Sequence, residues 1–128
     1  MKNVLITGSN RGIGKAMTHQ FADAGWKVWM GMRNPQPQEQ QTQDKELLFP
    51  VALDVLDDRT LQKAAENIEA TDGRLDVLIN NAGIIDHHSL LDSTLQSIQT
   101  IMDTNFYGPF RTIHAMLPLL LKSDDPRV

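Results

Sequence analysis

Apolar residues in this chain fall into short solid blocks, separated by longer stretches in which they recur at every third or fourth position. Val4-Leu5-Ile6 is the first block, apolar without alternation, as a strand covered on both faces requires. Residues 12–24 follow at helical spacing, with Gly25 as a stop. Residues 3–6, 27–32, 48–53 and 76–79 are the expected strands, the third at an edge because it contains Pro50. Residues 57–71 read as a helix with Leu61, Ala64, Ala65 and Ile68 on one side and Gly73 as its cap. Residues 95–122 read as a single long helix, with Ile98, Ile101, Met102, Phe106, Ile113 and Leu117 on its apolar side. Residues 34–46 are polar and Gln-rich with two prolines, a long loop or a weak exposed helix. Alternating strands and helices with short connections predict an α/β, doubly wound parallel sheet with helices on both faces, and any ligand outside the carboxyl ends of its strands.

The turn between the first strand and helix, Thr7-Gly8-Ser9-Asn10-Arg11-Gly12-Ile13-Gly14, changes this from a fold to a site. A glycine-rich turn entering a helix N-terminus directs backbone N–H groups at a bound anion, and side chains there would block close approach of a phosphate. Composition narrows the rest. With 12 basic and 16 acidic residues the net charge is −4, and no basic stripe suits nucleic acid. No apolar run suits a bilayer, since 116–121 is short and broken by Pro118. The first strand starts so near Met1 that no cleavable signal is expected, and the lack of cysteine excludes disulfides and thiolate catalysis, compatible with a cytoplasmic protein.

Three further features fall at strand ends or in the last helix: Asp54-Val55, Asn80-Asn81-Ala82-Gly83 and Asn105-Phe106-Tyr107-Gly108. With the glycine turn, in this order, they resemble the short-chain dehydrogenase/reductase family in its shorter, single-domain branch, over essentially the whole chain. The resemblance implies a Rossmann-like domain, a nicotinamide cofactor, and hydride exchange between a small-molecule carbonyl and an alcohol. It implies that Gly8, Gly12 and Gly14 take the turn positions, with Ser9, Asn10, Arg11 and Ile13 supplying contacts. Asp54, beside Val55, would face the adenine amino group, and Asn81, Ala82 and Gly83 would line the adenosine and ribose side. Alternatives stay open: Asp54 as a helix-starting residue, and 80–83 as a turn held by Asn side chains.

Charge bears on cofactor choice. An NAD site of this type places an acid about 20 residues beyond the glycines, on the ribose 2′-hydroxyl. Here the second strand ends Gly31-Met32-Arg33, and Arg11 lies on the other side. Two arginines and no acid predict NADP(H) over NAD(H), since guanidinium pairs with a 2′-phosphate that a carboxylate repels. Asn105 has a backbone argument of its own. Pro109 lacks an N–H, so the Asn105 carbonyl loses its helical donor and must find another, most simply water. In the family the matching carbonyl holds a water of the proton relay, which makes Asn105 the catalytic candidate here; a kink without function is the alternative. His87-His88 have no partner set for a metal and read as loop residues near the substrate entrance. Tyr107 with Arg111 mimics a Tyr-x-x-x-Lys pair, but it lies in the wrong helix and Arg does not release its proton.

The family's reaction also needs a Ser, a Tyr and a Lys four residues after it, all expected beyond the Asn-x-x-Gly segment; Ser123 is no convincing substitute. The expectation is therefore a sheet truncated after its fourth strand, carrying the cofactor half and inactive alone. A non-catalytic NADP-binding module and a subunit completed in trans are the other readings. Strand order 3-2-1-4 would leave 77–79 as an apolar edge, for which pairing in a homo-oligomer is expected.

Overall fold

The computed structural model describes residues 1–35 and 46–128, so most of the Gln-rich stretch lies outside the described residues. The chain runs β1 (Asn3–Thr7), α1 (Gly12–Asp23), β2 (Lys27–Met32), β3 (Leu48–Ala52), α2 (Asp58–Asp72), β4 (Val77–Ile79), α3 (Leu95–Met102), a π turn (Asp103–Tyr107) and α4 (Gly108–Leu120). All three strand pairings are parallel, in the order β3-β2-β1-β4, and Pro50 is indeed on the edge strand. Every strand therefore points its carboxyl end to the same rim.

Solid apolar strands make two cores. Leu5, Trp29, Val51, Leu61, Ile68, Leu78 and Met116 fill the face under α2 and α4. Val4, Ile6, Val28, Met30 and Met32 fill the other, against Ala22, Met17 and Phe21 of α1. This is a Rossmann-like, doubly wound arrangement. Gly73 closes α2 in the left-handed conformation, φ 72°. No helix among the described residues is long and apolar enough to cross a membrane.

Two expectations need correction. The helix over 95–122 is not continuous: a five-residue π turn divides it, and Gly108 N–H reaches back to the Asp103 carbonyl. The widened turn lets Pro109 fall in the first turn of α4, where a missing N–H costs nothing. It also shifts the helical phase, so that the buried side of α4 is Gly108, Thr112, Met116, Leu119 and Leu120, whereas Ile98, Met102, Phe106 and Leu117 are exposed. The second correction concerns β4, whose outer edge is not bare. Leu78 N–H donates to the Arg127 carbonyl and Arg127 N–H to the Asp76 carbonyl, both at 3.0 Å, so the last residues occupy that edge.

Candidate nucleotide site at the strand ends

The glycine turn leaves β1 with Gly8 at φ 66° and Gly12 at φ 55°, a region that favours glycine. Gly14 is required for space. A Cβ there would lie 2.2 Å from the Gly8 carbonyl oxygen and 2.5 Å from Asn81 Nδ2. Asn81 in turn donates from Nδ2 to the carbonyls of Thr7 and Gly8, each at 3.1 Å. The buried Thr7 hydroxyl accepts from the N–H groups of Asn81 and Ala82 and donates to the Ile79 carbonyl. A Cβ on Gly8 would touch Ala82 at 3.0 Å. The end of β4 is thus fastened onto the glycine turn, and Gly8, Gly12, Gly14, Asn81, Ala82 and Gly83 belong to one rim.

The opening of α1 is unusual in what it lacks. Its N-cap, Arg11, contributes no side-chain hydrogen bond, and its first turn contains no acid. The first N–H groups of a twelve-residue helix are then left for an outside acceptor, and a Cβ at Gly12 would meet nothing within 4 Å. That open, uncapped end fits the pyrophosphate of the dinucleotide implied by the sequence. Asn10, Arg11 and Ile13 are exposed around it, Ile13 to 73% despite being apolar. Ser9 faces the other way: wholly buried, it donates N–H and hydroxyl to the Gly31 carbonyl and anchors the turn to β2. Arg33, just past β2, is exposed, and neither it nor Arg11 has an ion pair among the described residues.

Beyond β3, Asp54 is half-buried. One of its carboxylate oxygens accepts from Leu56 N–H at 2.9 Å, and the other has no hydrogen bond among the described residues. It does not cap α2; Asp57 does, accepting from Arg59 N–H at 3.0 Å. Val55 is buried against Gly108, where a Cβ would lie 2.9 Å from Val55 Cγ2.

Asn105 sits in the π turn, and its side chain has a function that the backbone argument missed. Oδ1 accepts from Ile84 N–H at 2.9 Å and Nδ2 donates to the Ile84 carbonyl at 2.7 Å. This two-point clamp holds the segment after Gly83 as a neighbouring strand would. Two signals were in the sequence, an amide side chain near a Pro-interrupted helix and an extended segment after Asn-Ala-Gly, but no spacing rule joins positions 21 residues apart. The Thr7 hydroxyl was missed likewise. Asn80 Oδ1 is buried without a hydrogen-bond partner among the described residues.

The secondary candidates resolve simply. Asp86 accepts from His88 through both the backbone N–H and the ring, and these bonds hold its carboxyl below the usual range. No group of three metal-ligating side chains forms among the described residues. Ser123 donates its hydroxyl to Asp76 at 2.6 Å and braces the base of β4, away from the rim. Arg111 is committed to Asp103.

Comparison with known proteins agrees with this geometry. A sequence model described as short chain dehydrogenase matches residues 2–128. The chain is 37% identical over 139 residues to the short chain dehydrogenase tazN of Aspergillus terreus, covering 98% of this chain and 30% of that protein. It is 30% identical over 151 residues to (+)-neomenthol dehydrogenase of Arabidopsis thaliana, covering 97% and 51%. The structure of ElxO with NADP bound superposes with a TM-score of 0.87 at 28% identity, covering 98% of this chain and 52% of that one. The chain thus spans about half the length of ElxO and of the neomenthol dehydrogenase, and less of tazN. With a family match along nearly every residue, this chain is a member of the short-chain dehydrogenase family.

Proposed function

We propose that this chain is the NADP(H)-binding part of an oxidoreductase that moves hydride between the cofactor and a small carbonyl or alcohol. The observation that carries the cofactor choice is the pair of exposed arginines, Arg11 and Arg33, with no carboxylate at the end of β2; the uncapped, acid-free start of α1 carries dinucleotide binding as such. Gly8, Gly12 and Gly14 admit the pyrophosphate to the N–H groups of α1. Arg33 and Arg11 pair with the 2′-phosphate, and the free oxygen of Asp54 accepts from the adenine amino group. Asn81, Ala82 and Gly83 back the ribose. The NADP found in ElxO supports the same preference.

The bound nicotinamide supplies or takes the hydride; the chain's own residues bind, orient and hold a proton path. Asn105 does the last of these. Its carbonyl has no amide hydrogen to accept from at Pro109, which leaves it to hold a water, while its side chain fixes Ile84 beside the cofactor. The one tyrosine, Tyr107, is followed four residues later by an arginine already bound to Asp103, so we assign proton transfer to residues outside 1–128 and expect no turnover from this chain alone. A binding module without chemistry of its own shares this cofactor site but lacks such residues, and a subunit completed in trans shares it and takes them from another polypeptide.

Titration of the chain with NADPH and NADH, followed by cofactor fluorescence, tests the reading. Binding at least tenfold tighter for NADPH is expected; equal affinity removes the preference, and no binding of either removes the proposal. Reduction of a carbonyl panel by the chain alone would overturn the expectation of no turnover.

A further inference from the structure

The π turn that presents Asn105 is widened by one residue, and one side chain reaches across it. Arg111, on the first turns of α4, donates Nη2 to Asp103 Oδ1 at 2.5 Å and Nη1 to the Asp103 carbonyl at 3.3 Å. The same Nη1 lies 3.4 Å from the Val55 carbonyl, at the end of β3 beside Asp54. Asp103 O is also the acceptor that defines the π turn, since Gly108 N–H closes on it from five residues ahead. One guanidinium therefore covers the side chain and carbonyl of the residue that opens the turn, and reaches toward the strand end that forms the adenine wall. Gly108 makes the close approach feasible by leaving room for Val55.

We propose that Arg111 is a positioning residue for the cofactor site: it holds the π turn in its widened form and against β3, and through it the Asn105 clamp on Ile84. The inference rests on the proposed cofactor reading for its functional meaning, though not for its geometry. An α-helical continuation through 103–107 would rotate Asn105 away from Ile84, because one residue is worth about 100° of helical phase. The fork shape of arginine matters as well as its charge. A single ammonium is a point donor and does not span a carboxylate and two carbonyls in a fixed plane. Ion pairing alone is a weak account, since the Asp103 side chain is 46% exposed.

The test uses the full chain and two substitutions, Arg111→Met and Arg111→Lys, read by amide hydrogen exchange at Ile84 and by the side-chain amide resonances of Asn105. Exchange at Leu5, in β1 with a paired strand on each side, reports global stability. In Arg111→Met, Ile84 should exchange about fivefold or more faster relative to Leu5, the size expected for losing a charged hydrogen bond in a half-exposed site. Arg111→Lys should restore only part of the protection. Arg59→Met, removing an exposed arginine of α2, should leave the ratio unchanged. Equal acceleration at Ile84 and Leu5, or full rescue by lysine, would overturn the proposal. If NADPH does not bind but Ile84 still responds to Arg111, the cofactor reading fails and the positioning role stands.

Discussion

The starts of α1 and α2 lie at the same rim of the same sheet and are built in opposite ways. At α2 the N-cap Asp57 accepts from Arg59 N–H, Asp58 adds a second acid to the first turn, and the N3 residue Thr60 ties back to both carbonyl and N–H of Asp54. The positive end of that helix is satisfied from within. At α1 the N-cap is an arginine with no side-chain bond, the first turn has no acid, and the N3 residue is a glycine pressed against Gly8. Its first turn has no side-chain acceptor among the described residues, which is the contrast on which the proposed cofactor site rests.

The strongest way to break this contrast is at N3. Gly14→Ala places a methyl 2.2 Å from a backbone oxygen, which no rotamer relieves. We expect a loss of about 3 kcal/mol in unfolding free energy and no measurable NADPH binding. Thr60→Ala, the matching position in α2, should cost only about 1 kcal/mol and, by loosening Asp54, weaken NADPH far less than Gly14→Ala. Urea unfolding and cofactor titration of the two variants check both; a tolerated Gly14→Ala would mean the turn opens more than its packing implies.

A smaller effect is expected from charge. Arg33→Asp should weaken NADPH about thirtyfold or more, as for a lost charged hydrogen bond, and change NADH by less than about threefold. Parallel loss for both cofactors would place Arg33 outside the 2′-phosphate site and leave Arg11 as its one proposed partner.

What the sequence made legible follows from the range of the forces involved. Strands β1 to β4 and helix α2 were readable because block hydrophobicity and capping residues act within a few positions; β2 was bounded without error and α2 was displaced by one residue. The glycine turn was readable because its spacing is itself the mechanism. The π turn was not, since α and π continuations differ by one residue and the choice is made by Val55, Gly108 and Arg111 meeting across more than 50 positions. The same holds for the apolar face: the phase set before the turn does not carry through it, so Met116 is buried and Phe106 exposed. Ser9 was assigned to the cofactor by position, yet its hydroxyl is spent on Gly31.

The smallest effect separates the two helix starts by pH. Arg59, through its side chain and then its backbone N–H, holds the Asp57 carboxyl below the usual range. Asp76 is pushed up by burial, but hydrogen bonds from Ser123, Asn3 N–H and Arg74 outweigh this and its carboxyl also lies low. A carboxyl lowered in the folded state contributes stability that is complete above its unfolded value, about 3.9, and is lost as pH falls through the lower folded value. The amide of Arg59 should therefore shift with a midpoint below about 3.9, while those of Gly12 and Ile13, with no acid in their turn, stay still over the same range. Asp57→Asn sharpens the comparison, because asparagine caps about as well and does not titrate. Stability at neutral pH and NADPH binding should be nearly unchanged, the Arg59 shift should flatten, and the acid loss that remains should belong to Asp76 and Asp86. Movement of the Gly12 amide in step with that of Arg59 would mean the α1 donors already have a carboxylate partner, and the uncapped start that carries the cofactor argument would be closed.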